Sequence, residues 1–446
     1  MWSNPTLSSL ATAASGTLKG NDSSIGNAST DTRTLKKGDV YFALQGPSFD
    51  GHQYIDVATA KGASALVVSQ PIESELPVVL VKDTRKALGF LAQLIRNAFE
   101  GQVIALTGSV GKTSTRAMLK EILSMQPGLL STHGNFNNDI GVPKTWFELS
   151  DQHQRVLLEM GANAQGEIDW LCQISKPHIS LLLNAGESHT EGFGGLEGVR
   201  KAKGEIIEGT DMEGGCVLNQ DDPHFGQWLK RAGDRKVVSF GRHTDADVCL
   251  LNFSSNALGS EFTLGLPDGD ISVNWPMYGL HMAMNAAAAA ATAWLAGVSS
   301  LDIAEGLSNM KPEPGRLQPL DSTYGGPLIH DAYNANPVSY KAAIDVLADL
   351  GEDTILVAGD MAELGDESDS HHRAIGQYAR GKVKQIFTVG HHAHLISESF
   401  GGQHFSNHSE LIAQLSSQLD SSTAVLVKGS RSAGMERVVD VLKRIN

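Results

Sequence analysis

The stretch Val103-Ile104-Ala105-Leu106-Thr107-Gly108-Ser109-Val110-Gly111-Lys112-Thr113-Ser114 limits what this chain can fold into more than any other. A short apolar run passes through a glycine-punctuated turn into Arg116-Ala117-Met118-Leu119, which predicts strand, loop and helix in immediate succession. That order brings backbone N–H groups and a helix N-terminus together on one anion. Gly108 and Gly111 permit the tight curve, Lys112 supplies a cation for terminal phosphates, and the Thr113 hydroxyl suits Mg²⁺. The common phosphate-loop pattern would place a glycine at position 106, where this chain has Leu106, so the pattern present is the narrower T-G-x-x-G-K-T. We read Thr107 to Ser114 as a cradle for a nucleoside triphosphate, with Ser109 and Val110 contributing backbone between the glycines.

The rest of the chain must build an α/β framework around that loop. At 446 residues it exceeds one average core, and three domains are expected. A formal charge of −15 argues against a nucleic-acid surface, which needs clustered Lys and Arg, although a local basic pocket for a phosphorylated small molecule stays compatible with it. Cys172, Cys216 and Cys249 have no C-x-x-C spacing and read as thiols of a reducing compartment. Met1-Trp2-Ser3-Asn4-Pro5 lacks a basic n-region and the Ala286–Val298 run is too short to span a bilayer, so a cytoplasmic protein is expected.

Residues 1–98 alternate strand and helix patterns: strands at Asp39–Leu44, Ala65–Val68 and Val78–Val81, with a helix from Tyr54 to Lys61. Two polar clusters there, Asp31-Thr32-Arg33 and Asp50-Gly51-His52, read on their own as turn residues and a surface charge pair. Residues 99–312 carry the phosphate loop and then the Gly- and Asn-rich segment Gly134-Asn135-Phe136-Asn137-Asn138-Asp139-Ile140-Gly141. Arg155–Glu159 predicts a buried strand whose terminal carboxylate, Glu159, faces the ligand edge of an open sheet, where it could hold Mg²⁺. His189 follows another strand end, and Lys201 and Lys203 lie on the helix beyond it, where lysines ordinarily form a solvated face. Residues 245–275 predict edge hairpins, and Asn285 opens a long alanine-rich helix. Met310-Lys311-Pro312-Glu313-Pro314-Gly315-Arg316 marks a boundary. Residues 313–446 then predict a Rossmann-like parallel sheet with polar clusters at its strand ends. The His391-His392-Ala393-His394 run reads as a solvated loop.

Together these motifs resemble the Mur ligase superfamily, ATP-dependent amide-forming enzymes of peptidoglycan precursor synthesis. The resemblance covers the whole chain. It rests on Thr107–Thr113, Glu159, His189, Lys203, Asn285, Gly315-Arg316 and the Asn-rich segment, together with Asp331-Ala332-Tyr333-Asn334-Ala335-Asn336-Pro337 and Gly359-Asp360-Met361-Ala362-Glu363-Leu364-Gly365. It implies an N-terminal α/β domain for a UDP-sugar (1–98), a central phosphate-loop ATPase-type domain (99–312) and a C-terminal Rossmann-like domain (313–446). The implied substrates are ATP, UDP-MurNAc-tripeptide and D-alanyl-D-alanine; the D-N-P-R motif of the branch that adds a diamino acid is absent. Lys112, Glu159, His189 and Lys203 become candidate catalytic residues. Thr113 with Glu159, and His189 with a carbamylated Lys203, would hold two Mg²⁺, Lys201 being the sequence competitor for that modification. Asn285 and Asp331 would position adenosine, Arg316 the phosphates, and Tyr333, Asn334 and Asn336 would line the nucleotide site. Asp31, Thr32, Arg33, Asp50, Gly51, His52, Asn135, Asn137 and Asn138 become substrate contacts. The resemblance implies a monomer that closes about the 311–315 linker. Another ligase of the superfamily, either of the branch that adds a diamino acid or resembling folylpolyglutamate synthetase, and a phosphate-loop ATPase switch remain the alternatives at this level.

Overall fold

The computed structural model describes residues 4–186, 190–256 and 259–444. Three sheets follow one another along the chain. The first runs Thr17–Lys19, Val78–Leu80, Ala65–Val68, Val40–Phe42, Ala28–Ser29 across its width, parallel except for the first pair. The second has nine strands: Gly269–Trp275, Gly259–Leu266, Val248–Asn256, Lys236–Gly241, Gly215–Asn219, Ile179–Leu182, Gln102–Thr107, Arg155–Glu159 and Leu129–Ser131. The third orders Gln318–Leu320, Leu328–Asp331, Ala424–Lys428, Thr354–Ala358, Gln385–Val389 and Gln403–Phe405.

In the second sheet the strand Gln102–Thr107 lies between Ile179–Leu182 and Arg155–Glu159, all three parallel. From Gln102–Thr107 the chain passes to the edge strand Leu129–Ser131, returns to Arg155–Glu159 beside it, and then crosses to Ile179–Leu182 on the other side, so the phosphate loop sits at a topological switch point, where flanking connections diverge and leave a crevice. Glu159 and Asn184 stand at or just past the ends of the flanking strands.

The alanine-rich helix Leu280–Leu295 is apolar on all sides: Ala286 to Ala291 are fully buried. A helix with that pattern must be covered on every face, and its small side chains let the phosphate-loop helix Lys112–Leu123 and the sheet approach closely. The apolar core containing it continues through Tyr340, Ile344 and Leu356 of the third unit. A second core joins Val40, Val67 and Leu88 of the first unit to Val103, Trp146 and Leu171 of the second. Helix Thr84–Ala98, capped by Asp83, crosses that seam; Arg96 donates to the carbonyls of Ser175 and Lys176.

The α/β class, the main strands and the edge hairpins match the sequence expectations, with some corrections. The third sheet is mixed, because Gln318–Leu320 pairs antiparallel with Leu328–Asp331, and Gln403–Phe405 adds an edge strand. Strands Thr17–Lys19, Ala28–Ser29 and Leu129–Ser131 were not expected; two or three residues are too few to display an alternation. The strand expected over 39–44 is confined to Val40–Phe42. The helix expected from Tyr54 begins as a tight turn at Gly51–Tyr54 and becomes α-helical over Ile55–Ala60. The histidine run enters helix His394–Phe400 through a turn in which Asp360 accepts the N–H groups of His391, His392 and Ala393. Among the described residues, no helix is long and apolar enough to cross a membrane.

Candidate active site

Both loop glycines are needed for shape. Gly111 caps the helix at φ 83°, and a Cβ there would lie 2.6 Å from Asn285 Oδ1; a Cβ on Gly108 would meet Leu183 Cβ at 2.9 Å. Thr107 is an anchor, fully buried, its hydroxyl donating to the Met160 carbonyl at 2.7 Å. Asn184, which the sequence analysis did not single out, pins the loop: its Oδ1 accepts the N–H groups of Ser109 and Val110, both at 3.0 Å. Ser109 Oγ donates to the Gly186 carbonyl. Only the position of Asn184 past a sheet strand, one over from the loop, could have signalled this role.

Lys112 Nζ folds back onto the Gly108 carbonyl at 2.7 Å. Burial lowers its ammonium below the ordinary lysine value; Glu159 opposes that shift and Arg316 adds to it. Glu159 is 1 % exposed and is held by three neighbours. Arg116 Nε donates to Oε2 at 3.0 Å, Asn137 Nδ2 to Oε1 at 2.9 Å, and the Thr113 hydroxyl to Oε1 at 3.3 Å. Arg116 was not foreseen as a site residue; its other nitrogens donate to the carbonyls of Thr132 and Gly134, tying the carboxylate to the Asn-rich segment.

The third unit closes over this group. Arg316 Nη2 donates to Thr113 Oγ1 at 3.0 Å, and its guanidinium lies 4.2 Å from the ring centre of Tyr333. Asp331 fixes the approach: Oδ1 accepts the Leu317 N–H, and Oδ2 takes the buried Lys428 ammonium at 2.6 Å. Leu317 sits at φ 46°, so the chain turns sharply just where it delivers Arg316.

Three cavities meet along this seam. One of about 340 Å³ lies between Gly111, Asn285, Asp331 and Tyr333, walled by apolar side chains such as Met282 and Phe240. Ser114 lines it, as does His281, whose imidazole is pulled down to about 4 by burial. A second, of about 450 Å³, holds the phosphate loop, Glu159, Lys203 and Arg316 together with Asn135, Asn137 and Asn138. A third, of about 940 Å³, shares Asn135, Tyr333, Asn334 and Glu363 with the second and extends to Ser430, Arg431 and Ser432. Three expected ligand contacts are spent partly on the fold. Asn336 caps helix Pro337–Ala348 by accepting the Ser339 N–H, Asn334 Oδ1 accepts the Ala335 N–H, and Asn138 Oδ1 accepts the N–H groups of Ile140 and Gly141.

Lys203 is 1 % exposed; among the described residues Nζ donates to the Ala162 carbonyl at 3.4 Å and lies 5.3 Å from the ring centre of Phe193. Burial, reinforced by the charge of Lys112, draws its ammonium down to about 7, against Glu167 and Glu205. Lys201 is exposed. His189 lies outside the described residues. No three described His, Cys, Asp or Glu side chains converge as a metal site. The group does fit Mg²⁺, which takes one or two carboxylates and draws its other ligands from phosphate oxygens and water; Glu159 and Thr113 are the residues that would supply the protein share.

A fourth cavity, of about 500 Å³, lies at the seam of the first and second units, lined by Asp31, Thr32, Arg33, Tyr41, Phe49 and Gly51, among others. Asp31 and Arg33 form a two-pronged ion pair, which draws the Asp31 carboxyl down to about 2. Asp50 and His52 do not line it. His52 Nδ1 lies 2.6 Å from Asp50 Oδ1, and Nε2 accepts the Ser69 N–H, so the pair braces the turn that presents Gly51.

A phosphate loop at the switch point of one sheet, met by an arginine from a Rossmann-like neighbour, is the architecture of an ATP-dependent ligase of phosphate-loop type. Sequence models described as the Mur ligase family catalytic domain, the Mur ligase middle domain and the Mur ligase glutamate ligase domain match residues 24–96, 106–293 and 315–431. The chain belongs to the Mur ligase family. It is 42% identical to the UDP-N-acetylmuramoyl-tripeptide–D-alanyl-D-alanine ligase of Escherichia coli (strain K12), over 98% of each chain. A crystal structure of MurF from Acinetobacter baumannii superposes with a TM-score of 0.92 at 35% identity, covering 99% of both chains. The MurF ligase of Thermotoga maritima, solved in complex with ADP, superposes at 0.85 with 26% identity over 93% of this chain and 96% of that one.

Proposed function

We propose that the chain is an ATP-dependent ligase that joins D-alanyl-D-alanine to UDP-N-acetylmuramoyl-tripeptide, releasing ADP and phosphate. The observation that carries this reading is the meeting, in one cavity, of Lys112, Glu159 and Lys203 from the second unit with Arg316 from the third. Residues 1–98 hold the UDP end of the acceptor, 99–312 the ATP, and 313–446 the closing wall. Adenosine occupies the cavity between Asn285 and Asp331, whose apolar walls suit a base and whose carboxylate suits a ribose hydroxyl.

The terminal carboxylate of the tripeptide attacks the γ-phosphorus of ATP; the bond from phosphorus to the bridging oxygen breaks and ADP leaves. The dipeptide amine then attacks the acyl carbon of the acyl phosphate, the C–O bond to phosphate breaks, and the amine loses a proton as the amide forms. Both steps bring anions together, so the site must supply fixed positive charge. Lys112 and Arg316 face the phosphates from two units, and Arg116 keeps Glu159 oriented. Glu159 and Thr113 would hold Mg²⁺, which would supply further neutralisation of phosphate charge. The dipeptide takes the cavity of about 940 Å³, which adjoins the phosphate cavity and is lined by Arg431 in its ion pair with Glu436.

Lys203 is the carbamylated lysine. Carbamate formation needs the neutral amine, which attacks CO₂, forms an N–C bond and releases a proton; a lysine drawn to about 7 presents that amine. The product is an anion facing the phosphate cavity, suited to a second Mg²⁺ with His189.

The test is ADP release with UDP-N-acetylmuramoyl-tripeptide, with and without D-alanyl-D-alanine. Turnover that requires both supports the reading; hydrolysis of ATP indifferent to the dipeptide overturns it.

A further inference from the structure

The cavity at the first seam contains a cation that the ligase chemistry does not use. Lys144 lies on helix Gly141–Phe147 of the second unit, and with Ile140 it lines a cavity whose other walls, Asp31, Arg33 and Tyr41 among them, come from the first. The Arg33 charge is already compensated by Asp31, at 2.7 Å. Lys144 forms no ion pair among the described residues; its only close aromatic neighbour is Phe136, whose ring centre is 5.7 Å from Nζ. With Asp31 and Arg33 cancelling, Lys144 leaves the cavity one net positive charge. Arg85 of the first unit pairs with Asp139, five residues before Lys144, which holds the two walls in register.

We infer that Lys144 is a specificity-determining contact for the diphosphate of the nucleotide-sugar acceptor, supplied across the seam by the second unit. This rests on the ligase reading above and names a residue of the site that it does not assign. A half-buried ammonium in no direct ion pair among the described residues, felt by the Asp31 carboxylate only at longer range, is suited to a diphosphate, which offers several acceptor oxygens and at least two negative charges. The exposed faces of Phe49 and Tyr54 beside it suit a planar base. Placement gives the contact a consequence. The helix bearing Lys144 continues directly from the segment that holds Asn137 on Glu159, so an acceptor gripped at its diphosphate is gripped by the same element that borders the reacting end.

The experiment measures UDP-N-acetylmuramoyl-tripeptide binding to the full-length protein by calorimetry, with UDP and uridine as competitors, for the wild type, Lys144→Met and Lys144→Arg. Lys144→Met is expected to weaken the acceptor and UDP about tenfold, the value of a charge-assisted contact open to solvent on one side. Uridine competition should be unchanged, and Lys144→Arg should retain most of the affinity. In turnover the loss should fall on the KM for the acceptor and not on the KM for ATP. Unchanged UDP binding by Lys144→Met overturns the inference, and so does an equal loss for UDP and uridine, which would make Lys144 a wall of the base pocket. Failure of wild type to bind the acceptor overturns both the inference and the ligase reading; the preceding two outcomes overturn the inference alone.

Discussion

The cavity at the phosphate loop and the cavity beside Asp31 and Arg33 are both built across a seam between two sheets, yet they carry charge in opposite ways. At the phosphate loop, Glu159 and Lys203 are each 1 % exposed and Lys428 with Asp331 braces the hinge from inside. Beside Asp31, the Arg33 side chain is 88% exposed and its ion pair is washed by solvent. Water screens the second arrangement and leaves the first at nearly full strength. Bond-making between anions needs dry, pre-oriented charge, whereas holding a soluble nucleotide-sugar needs shape and a few adaptable contacts.

That contrast can be broken most directly at Lys112. Lys112→Met should lower ADP release by about a thousandfold or more, the scale of losing a fixed transition-state charge, with an unchanged circular dichroism spectrum. Substantial remaining activity would remove the phosphate loop from the chemistry. Next comes the buried pair. Glu159→Gln should abolish turnover and destabilise the fold by about 3 kcal/mol, because Arg116 keeps its charge in the interior without a carboxylate. Arg116→Met combined with Glu159→Gln should recover most of that stability in urea unfolding and none of the activity.

Arg316 tests the seam itself. Its contact to Thr113 crosses between units, while Tyr333 of its own unit lies under the guanidinium, and neither supports much of the core, so Arg316→Ala should cost about ten- to a hundredfold in kcat with almost no change in the urea midpoint. A large loss of stability would show that the closing contact is structural.

Lys203 gives a pH signature. Its ammonium lies near 7 in the folded chain against an ordinary value of 10.5. Between those values the unfolded chain binds more protons, so this residue's contribution makes stability rise with pH from about 7 to 10.5, and its burial cost is fully present below 7. In CO₂-free buffer, Lys203→Met should flatten that slope in urea unfolding at pH 7 and pH 9. With bicarbonate, wild type should gain the mass of one CO₂ at this residue and Lys203→Met should not. The smallest effect is expected at the solvent-facing cavity. His52→Asn loses the contact to Asp50 yet leaves the walls in place, and should raise the acceptor KM by no more than a few-fold.

Much of the architecture was legible because local chemistry is explicit where it matters. The run from Val103 to Ser114 shows strand, turn and helix in order, and the structure follows it. Asn336 before Pro337 marks a helix start, and its capping role there is purely local. What escaped was relational. Nothing in the neighbourhood of Arg116 distinguishes it from any polar residue on a helix, and Asn184 is one more amide after a strand; each is identified only by what lies across from it. Lys203 looked like part of a solvated face, because the helix Leu196–Glu208 does carry lysines outward, as at Lys201, while turning this one in.

The sequence by itself determined the triphosphate cradle, the α/β class and the family, since phosphate-loop turns and strand–helix alternation are short-range properties that survive any arrangement of the units. Tertiary structure alone decided which charges meet. Arg316 reaches Thr113 over 203 positions of sequence, and Lys144 of the second unit enters a cavity walled mostly by the first. The physical reason is burial: a side chain's charge, partner and protonation depend on the surfaces that close around it, and those surfaces come from distant stretches of the chain.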